Sequence, residues 1–257
     1  LPKIIDIIKT RWSEVVLLIG LQTAVMFLLE QIAAVAQPPE GAPVSTPQNI
    51  AFLLGLGTMA FIIVWQMLYL GFLRTCIEGV QPWEPFQLLR VGRYYFWRTF
   101  RFQILLFVAF FGLAAMGLSI VAAITRAQNP DELSPLALAA VLIVTSLALL
   151  KPTALCLPVM LVRNVMAINS IMLLPAYRLR NKPAIPALYI AAMIFSAAVS
   201  IVDRMYTPTG APHHALMAVH HLIVSLTVLL IHLMALQLIT KLKGSDTFSE
   251  EARTDAP

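Results

Sequence analysis

The chain alternates long apolar blocks with short polar stretches, and the length of the blocks decides how they are read. About 20 apolar residues in a helix cross a hydrocarbon core of roughly 30 Å. Six blocks reach that length, at 13–36, 50–73, 103–125, 134–153, 184–205 and 215–240. The pattern predicts an all-α polytopic bundle of six transmembrane helices, with residues 1–243 forming one membrane domain and 244–257 a polar tail. Lys151-Pro152 interrupts a stretch that stays apolar to Val162. Lys151 is therefore expected to snorkel near the interface, with the Pro152/Pro158 segment bent or buried in protein.

The stretches between blocks are of two kinds. Those at 37–49, 126–133 and 206–214 are short and rich in Pro, Gly and Asn, which marks connections and leaves no room for an external catalytic domain. Those at 82–101 and 163–182 are longer and basic. The first interleaves Trp83, Phe86, Tyr94, Tyr95, Phe96, Trp97 and Phe100 with Arg90, Arg93, Arg98 and Arg101. Such a segment fits a helix lying in the headgroup region, rings at the boundary and guanidinium groups toward phosphates or a partner. Arg178 and Arg180 offer similar contacts in the second stretch. RNA binders also mix basic and aromatic residues, but two flanking spans favour the membrane.

Placement of charge gives an orientation. Of 18 Lys and Arg, all but Arg126 and Arg204 fall in the N-terminal segment, in the two connections from Arg74 to Arg101 and from Lys151 to Lys182, and in the C-terminal segment from Lys241. By the positive-inside bias both termini are expected to be cytoplasmic, in a bacterial inner membrane. The net charge of +5 then reflects cations beside span ends meeting anionic headgroups, and no nucleic acid is implied. With 59% of residues hydrophobic and 12% charged, against about half and about a quarter in soluble domains, an ordinary soluble globule, a disordered tail and a secreted disulfide scaffold are excluded. Ala34-Val35-Ala36 resembles a signal-peptidase site, but the long apolar run favours a retained signal-anchor span.

A shift of 84 residues brings Ile50 onto Ser134, Leu89 onto Leu173 and Arg98 onto Lys182, so an internal repeat of span, interfacial basic helix and span is expected. A division into three plus three inverted spans is the alternative. Gly71-Phe72-Leu73-Arg74, Gly79-Val80-Gln81-Pro82, Phe86-Gln87-Leu88-Leu89 and Arg93-Tyr94-Tyr95-Phe96-Trp97-Arg98 together carry a resemblance. The chain resembles the bacterial six-span proteins typified by YciC, and is similar to the membrane domain of some glycerophosphodiester phosphodiesterases. The likeness covers residues 50–205 and thins in the second copy, where Tyr177-Arg178-Leu179-Arg180 is a sparser cluster. It implies a six-span membrane domain and carries over no catalytic residue, because the soluble phosphodiesterase domain is missing.

Ionisable groups inside spans are the first candidates for function. Glu30, near the outer end of the first block with Gln22 and Gln31, could hold an ion or proton, pair with a neighbouring helix, or sit protonated near the interface. All five histidines lie between 213 and 232. At about 100° per residue His214, His221, Ser225 and His232 share one direction. His221 or His232 could ligate a chlorin or a haem, although a bis-histidine haem would need a partner helix. His213, His214 and His220, with Asp203, could hold a transition metal. Hydrogen bonding across helices is the plainer reading. Asp203 and Arg204 point about 100° apart and serve different neighbours. Cys76 and Cys156, without a CxxC, read as small apolar fillers.

No intramembrane-protease, P-loop or dinucleotide fingerprint is present, and no cofactor is required by the sequence. The expected function is a non-enzymatic accessory or scaffold subunit of a membrane complex, with the lipid bilayer and other membrane subunits as partners. The alternatives are a transporter component such as an ABC-type permease, with the loop between spans two and three as a coupling helix, and a pigment- or cofactor-bearing subunit.

Overall fold

The structure is a computed structural model that describes residues 4–36, 47–79, 83–125, 135–206 and 211–254; within helices, the side chains of 30, 31, 33–36, 47–53, 135, 136, 139, 200, 201, 203–206, 211, 212 and 242–254 lie outside the description. Every regular element among the described residues is helical: α1 Ile4–Thr10, α2 Trp12–Ala36, α3 Pro47–Glu78, α4 Pro85–Thr125, α5 Pro135–Ala148, α6 Leu150–Arg163, α7 Ala167–Leu173, α8 Ala184–Tyr206 and α9 Ala211–Thr254, with two 3-10 turns, Leu174–Ala176 and Leu179–Asn181, between α7 and α8. A helix is what an apolar run must adopt when no water can satisfy its backbone.

Five helical stretches among the described residues are long and apolar enough to cross a membrane: Trp12–Leu29, Leu54–Glu78, Pro85–Thr125, Ala140–Arg163 and His213–Lys241. This is the build of an integral membrane protein. The block at 184–205 falls on α8, whose described apolar stretch, Ala184–Val199, is shorter than a crossing.

Two boundaries differ from the sequence reading. The basic-aromatic segment expected to lie apart as an interfacial helix is the first part of α4, a single helix of 41 residues. At about 1.5 Å per residue it is about 62 Å long, twice the hydrocarbon thickness. Pro85 supplies the pre-set first turn. The Glu84 carbonyl accepts Leu88 N–H at 3.1 Å and the Gln87 side chain accepts Glu84 N–H at 3.4 Å, one half of a capping box. No proline follows until Pro130, so nothing breaks the helix.

The fourth block, expected to end at Thr153, runs on to Arg163. Pro152 cannot donate to the carbonyl of Ala148, and the chain breaks at Leu149 (φ −94°, ψ 3°). Leu149 N–H still reaches the Thr145 carbonyl (3.2 Å), and Thr153 N–H reaches the Leu149 carbonyl (2.9 Å), so α6 resumes at once. Lys151 therefore sits inside the helical block, half-buried. α6 stops where Asn164 turns left-handed (φ 53°), a conformation asparagine tolerates better than most residues. The 3-10 turns and Pro175 and Pro183 follow, so this connection is broken where the start of α4 is continuous.

The chain divides into two compact units. The first comprises Pro2–Phe96 and Pro208–Leu226; the second comprises Trp97–Thr207 and Thr227–Pro257. In the first, α2 packs along α3, where Trp65 Nε1 donates to the Leu18 carbonyl at 3.0 Å. Near its basic end α3 is covered all round: Leu68, Tyr69, Leu70, Phe72, Leu73, Thr75 and Cys76 are buried. In the second unit Ala154 through Val162 are likewise buried without interruption, with α7, the first 3-10 turn and α8 packed on α6. The remainder of α4 is different: Phe107, Val108, Phe111, Met116, Ile120 and Ile124 are exposed, as lipid-facing residues are.

Candidate functional site

The densest polar arrangement lies in the first unit, where the α1–α2 junction meets the end of α3. Arg11 is fully buried. Its Nε donates to Glu14 Oε1 at 2.9 Å and its Nη2 pairs with Glu14 Oε2. Nη2 also donates to Thr75 Oγ1 (2.9 Å) and Nη1 to Cys76 Sγ (3.3 Å), while the guanidinium carbon lies 4.5 Å from the centre of the Phe72 ring. Glu14 Oε1 accepts the Trp83 N–H at 3.1 Å. The backbone supplies the spacing: one turn of helix puts Arg11 and Glu14, three residues apart, on one face, and Thr75 and Cys76 close the last turn of α3. One guanidinium and one carboxylate cancel in charge, and their hydrogen bonds tie α2, α3 and the residue leading into α4.

Two glycines let α4 lie directly on α3 beside this centre. A Cβ on Gly71 would fall 2.0 Å from the Leu88 carbonyl oxygen, and one on Gly92 would fall 1.7 Å from that of Met67. Each glycine faces the other helix's backbone, the close approach that small residues permit. With this face of α4 turned inward, Leu88, Tyr95 and Phe96 are buried. Arg90, Arg93, Tyr94, Trp97 and Arg101, at i, i+3, i+4, i+7 and i+11, are exposed along the opposite stripe. Five of the expected contact residues thus share one outward face. Arg98 does not join them, since its Nη1 donates to Asn164 Oδ1 at 2.9 Å, and Trp83, whose backbone amide serves Glu14, precedes the helix and is half-buried.

In the second unit Arg163 Nε donates to the hydroxyl of buried Tyr177 at 3.2 Å, and Ser170 Oγ approaches Cys156 Sγ at 3.5 Å. Arg178 and Arg180 are exposed beyond Tyr177. Neither cysteine reaches the surface. A membrane-permeant maleimide is therefore expected to leave both thiols unmodified in the folded protein and to label two per chain after denaturation; labelling of the native chain would contradict the packing at Thr75 and Ser170.

No protein-family model, curated protein or solved structure matches the chain.

The histidines all fall on α9. His213 and His214 have ring centres 5.5 Å apart, His214 meets Phe27 edge-on at 5.7 Å, and His220 and His221 lie 5.2 Å apart. Among the described residues no three His, Cys, Asp or Glu side chains gather as a metal would require. Asp203 and Glu30 have side chains outside the described set. His232 hydrogen-bonds the Thr153 backbone, the interhelical use expected of a histidine in a span.

The Arg11–Glu14 centre is absent from the sequence-level candidates, where Arg11 counts only as one of many basic residues. Its signal was an opposed pair three residues apart at the entrance to an apolar run. The partners on α3 carry no such signal, since a threonine and a cysteine at a span end are unremarkable in themselves.

Proposed function

We propose that the chain is a non-enzymatic accessory or scaffold subunit of a membrane complex, a six-span protein of the bacterial cytoplasmic membrane with both termini inside. α8 is the sixth span, completed by its last turn. The observation that carries the role is the closed Arg11–Glu14 centre: its bonds fix the ends of α2 and α3 and the start of α4, and nothing in it is offered to a substrate. The same arrangement displays Arg90, Arg93, Tyr94, Trp97 and Arg101 outward, as a docking face requires. Aromatic and arginine side chains are those that interfaces favour. The two buried helix stretches, 68–73 with 75–76 and 154–162, support the duplicated unit of span, basic segment and span. The bilayer and a second membrane protein are the partners.

A photo-crosslinking residue in place of Tyr94, in the native membrane, tests this reading. A discrete adduct with one integral membrane protein, recovered in fixed stoichiometry in mild detergent, is the expected result. A chain that isolates alone, crosslinked only to lipid, removes the accessory role. An ATPase in the adduct would replace it with the permease reading, and a coloured preparation with the pigment reading.

A further inference from the structure

The connection between α6 and α8 carries a second surface. α7 turns Ala167 and Ser170 inward, and Leu174 and Tyr177 follow them into the interior. Its other face is mostly apolar and uncovered: Met166, Ile168, Ile171 and Met172 are exposed, Met172 at 72%, with Asn169 the polar member of the face. Such a row does not belong in water. The segment is seated on α6, where Ser170 Oγ approaches Cys156 Sγ at 3.5 Å and Arg163 Nε donates to the Tyr177 hydroxyl at 3.2 Å. Directly after it stand Arg178, Arg180 and Lys182, the first two exposed. No Asp or Glu occurs between residues 133 and 202, so this stretch contains no carboxylate to match them. The first unit is unlike this: there Arg11 pairs with Glu14, and Arg74 Nε lies 3.3 Å from Glu78.

An apolar face followed immediately by exposed cations that form no ion pair among the described residues is the chemistry of a segment lying in a leaflet edge, hydrocarbon beneath and phosphate beside it. We propose that α7 and the turns after it form a shelf for anionic phospholipid. Ile168, Ile171 and Met172 enter the hydrocarbon boundary of the cytoplasmic leaflet, and Arg178 and Arg180 bind the headgroup phosphate. The inference rests on the membrane orientation proposed above and not on the accessory role.

Two measurements on the full chain test it. In the first, phosphatidylglycerol and phosphatidylcholine are titrated against the purified protein by native mass spectrometry. Phosphatidylglycerol is expected to bind preferentially, and Arg178→Gln/Arg180→Gln to weaken it about 20- to 30-fold, the effect of roughly 1 kcal/mol for each cation at a lipid surface. Arg74→Gln is expected to leave binding unchanged. An unchanged affinity in the double variant, or full displacement of the lipid by inorganic phosphate, overturns the proposal. In the second, a nitroxide on Met172→Cys is read in vesicles containing phosphatidylglycerol. Accessibility to oxygen and protection from a water-soluble nickel chelate are expected. Exposure to the chelate means an aqueous face, and protection from both quenchers means a protein cover; either result overturns the shelf. Both variants leave α4 unaltered, so a failure here is separable from failure of the Tyr94 crosslink.

Discussion

Alanine at Gly92 is expected to lower the stability of the protein by about 3 kcal/mol or more, although alanine ordinarily improves a helix. In an exposed helical position the exchange stabilises by about 0.5–1 kcal/mol. Here the added methyl would stand 1.7 Å from the Met67 carbonyl oxygen, and at Gly71 it would stand 2.0 Å from that of Leu88. A backbone oxygen cannot swing aside as a side chain can. The helices must separate, and the buried contacts of Leu70, Phe72, Leu88 and Tyr95 open with them. That cost exceeds the usual 1–3 kcal/mol or so of a small overpacking. The two substitutions are also expected to be less than additive, since the separation forced by one makes room for the other. Gly20, Gly55, Gly57 and Gly112 have open space where a Cβ would stand, so alanine there is expected to be neutral or stabilising. Gly117 falls between, because its near neighbour is a side-chain methyl of Val141 at 2.7 Å, which can move. Thermal unfolding in one detergent across the series reads the result. A Gly92→Ala protein that melts with the Gly20→Ala control would show that α3 and α4 are not in backbone contact.

These glycines illustrate what the sequence conceals. Gly57 and Gly71 lie in one apolar helix, and only the neighbour's backbone distinguishes them. Membrane helices were legible because hydropathy needs no partner: each apolar block is a helix whatever it touches. For the same reason the ends were misjudged. Residues 154–162, expected to be bent or buried in protein, are buried after a break at Leu149, but they continue the helical block that hydropathy ended at Thr153, and α3 likewise runs past 73 to Glu78. The extension of α6 through Pro152 depends on bonds resuming around Leu149, which a proline in the sequence argues against. The continuity of α4 was available, since a stretch from Phe86 to Asn129 without proline has nothing to end a helix before the connection. Its Arg and aromatic content suggested a separate interfacial element and obscured the point. The outward stripe of Arg90, Arg93, Tyr94, Trp97 and Arg101 was named from composition, but which of its neighbours turn inward follows from Gly92 alone.

Breaking the Arg11–Glu14 pair on one side is expected to cost about 3–5 kcal/mol, and removing both charges far less than the two single losses combined. Arg11→Met removes the guanidinium that faces both oxygens of Glu14 and leaves this buried side chain, among the described residues, the Trp83 amide alone. Glu14→Leu leaves a fully buried guanidinium whose partners among the described residues are Thr75 Oγ1, Cys76 Sγ and the face of Phe72, none of them anionic. In Arg11→Met/Glu14→Leu neither charge is stranded, and the methionine can lie along Phe72 where the guanidinium did. The Trp83 N–H and the Thr75 hydroxyl lose a partner, but Thr75 keeps its own bonds to the Gly71 and Phe72 carbonyls at 2.9 and 3.0 Å. The double variant is therefore expected to recover most of the loss, with a coupling of at least about 2 kcal/mol in the double-mutant cycle. Unfolding of the four proteins under one set of detergent conditions measures it. Additive losses would mean that Arg11 and Glu14 act independently, and the closed centre that fixes the basic ends of α2, α3 and α4 would lose its physical basis.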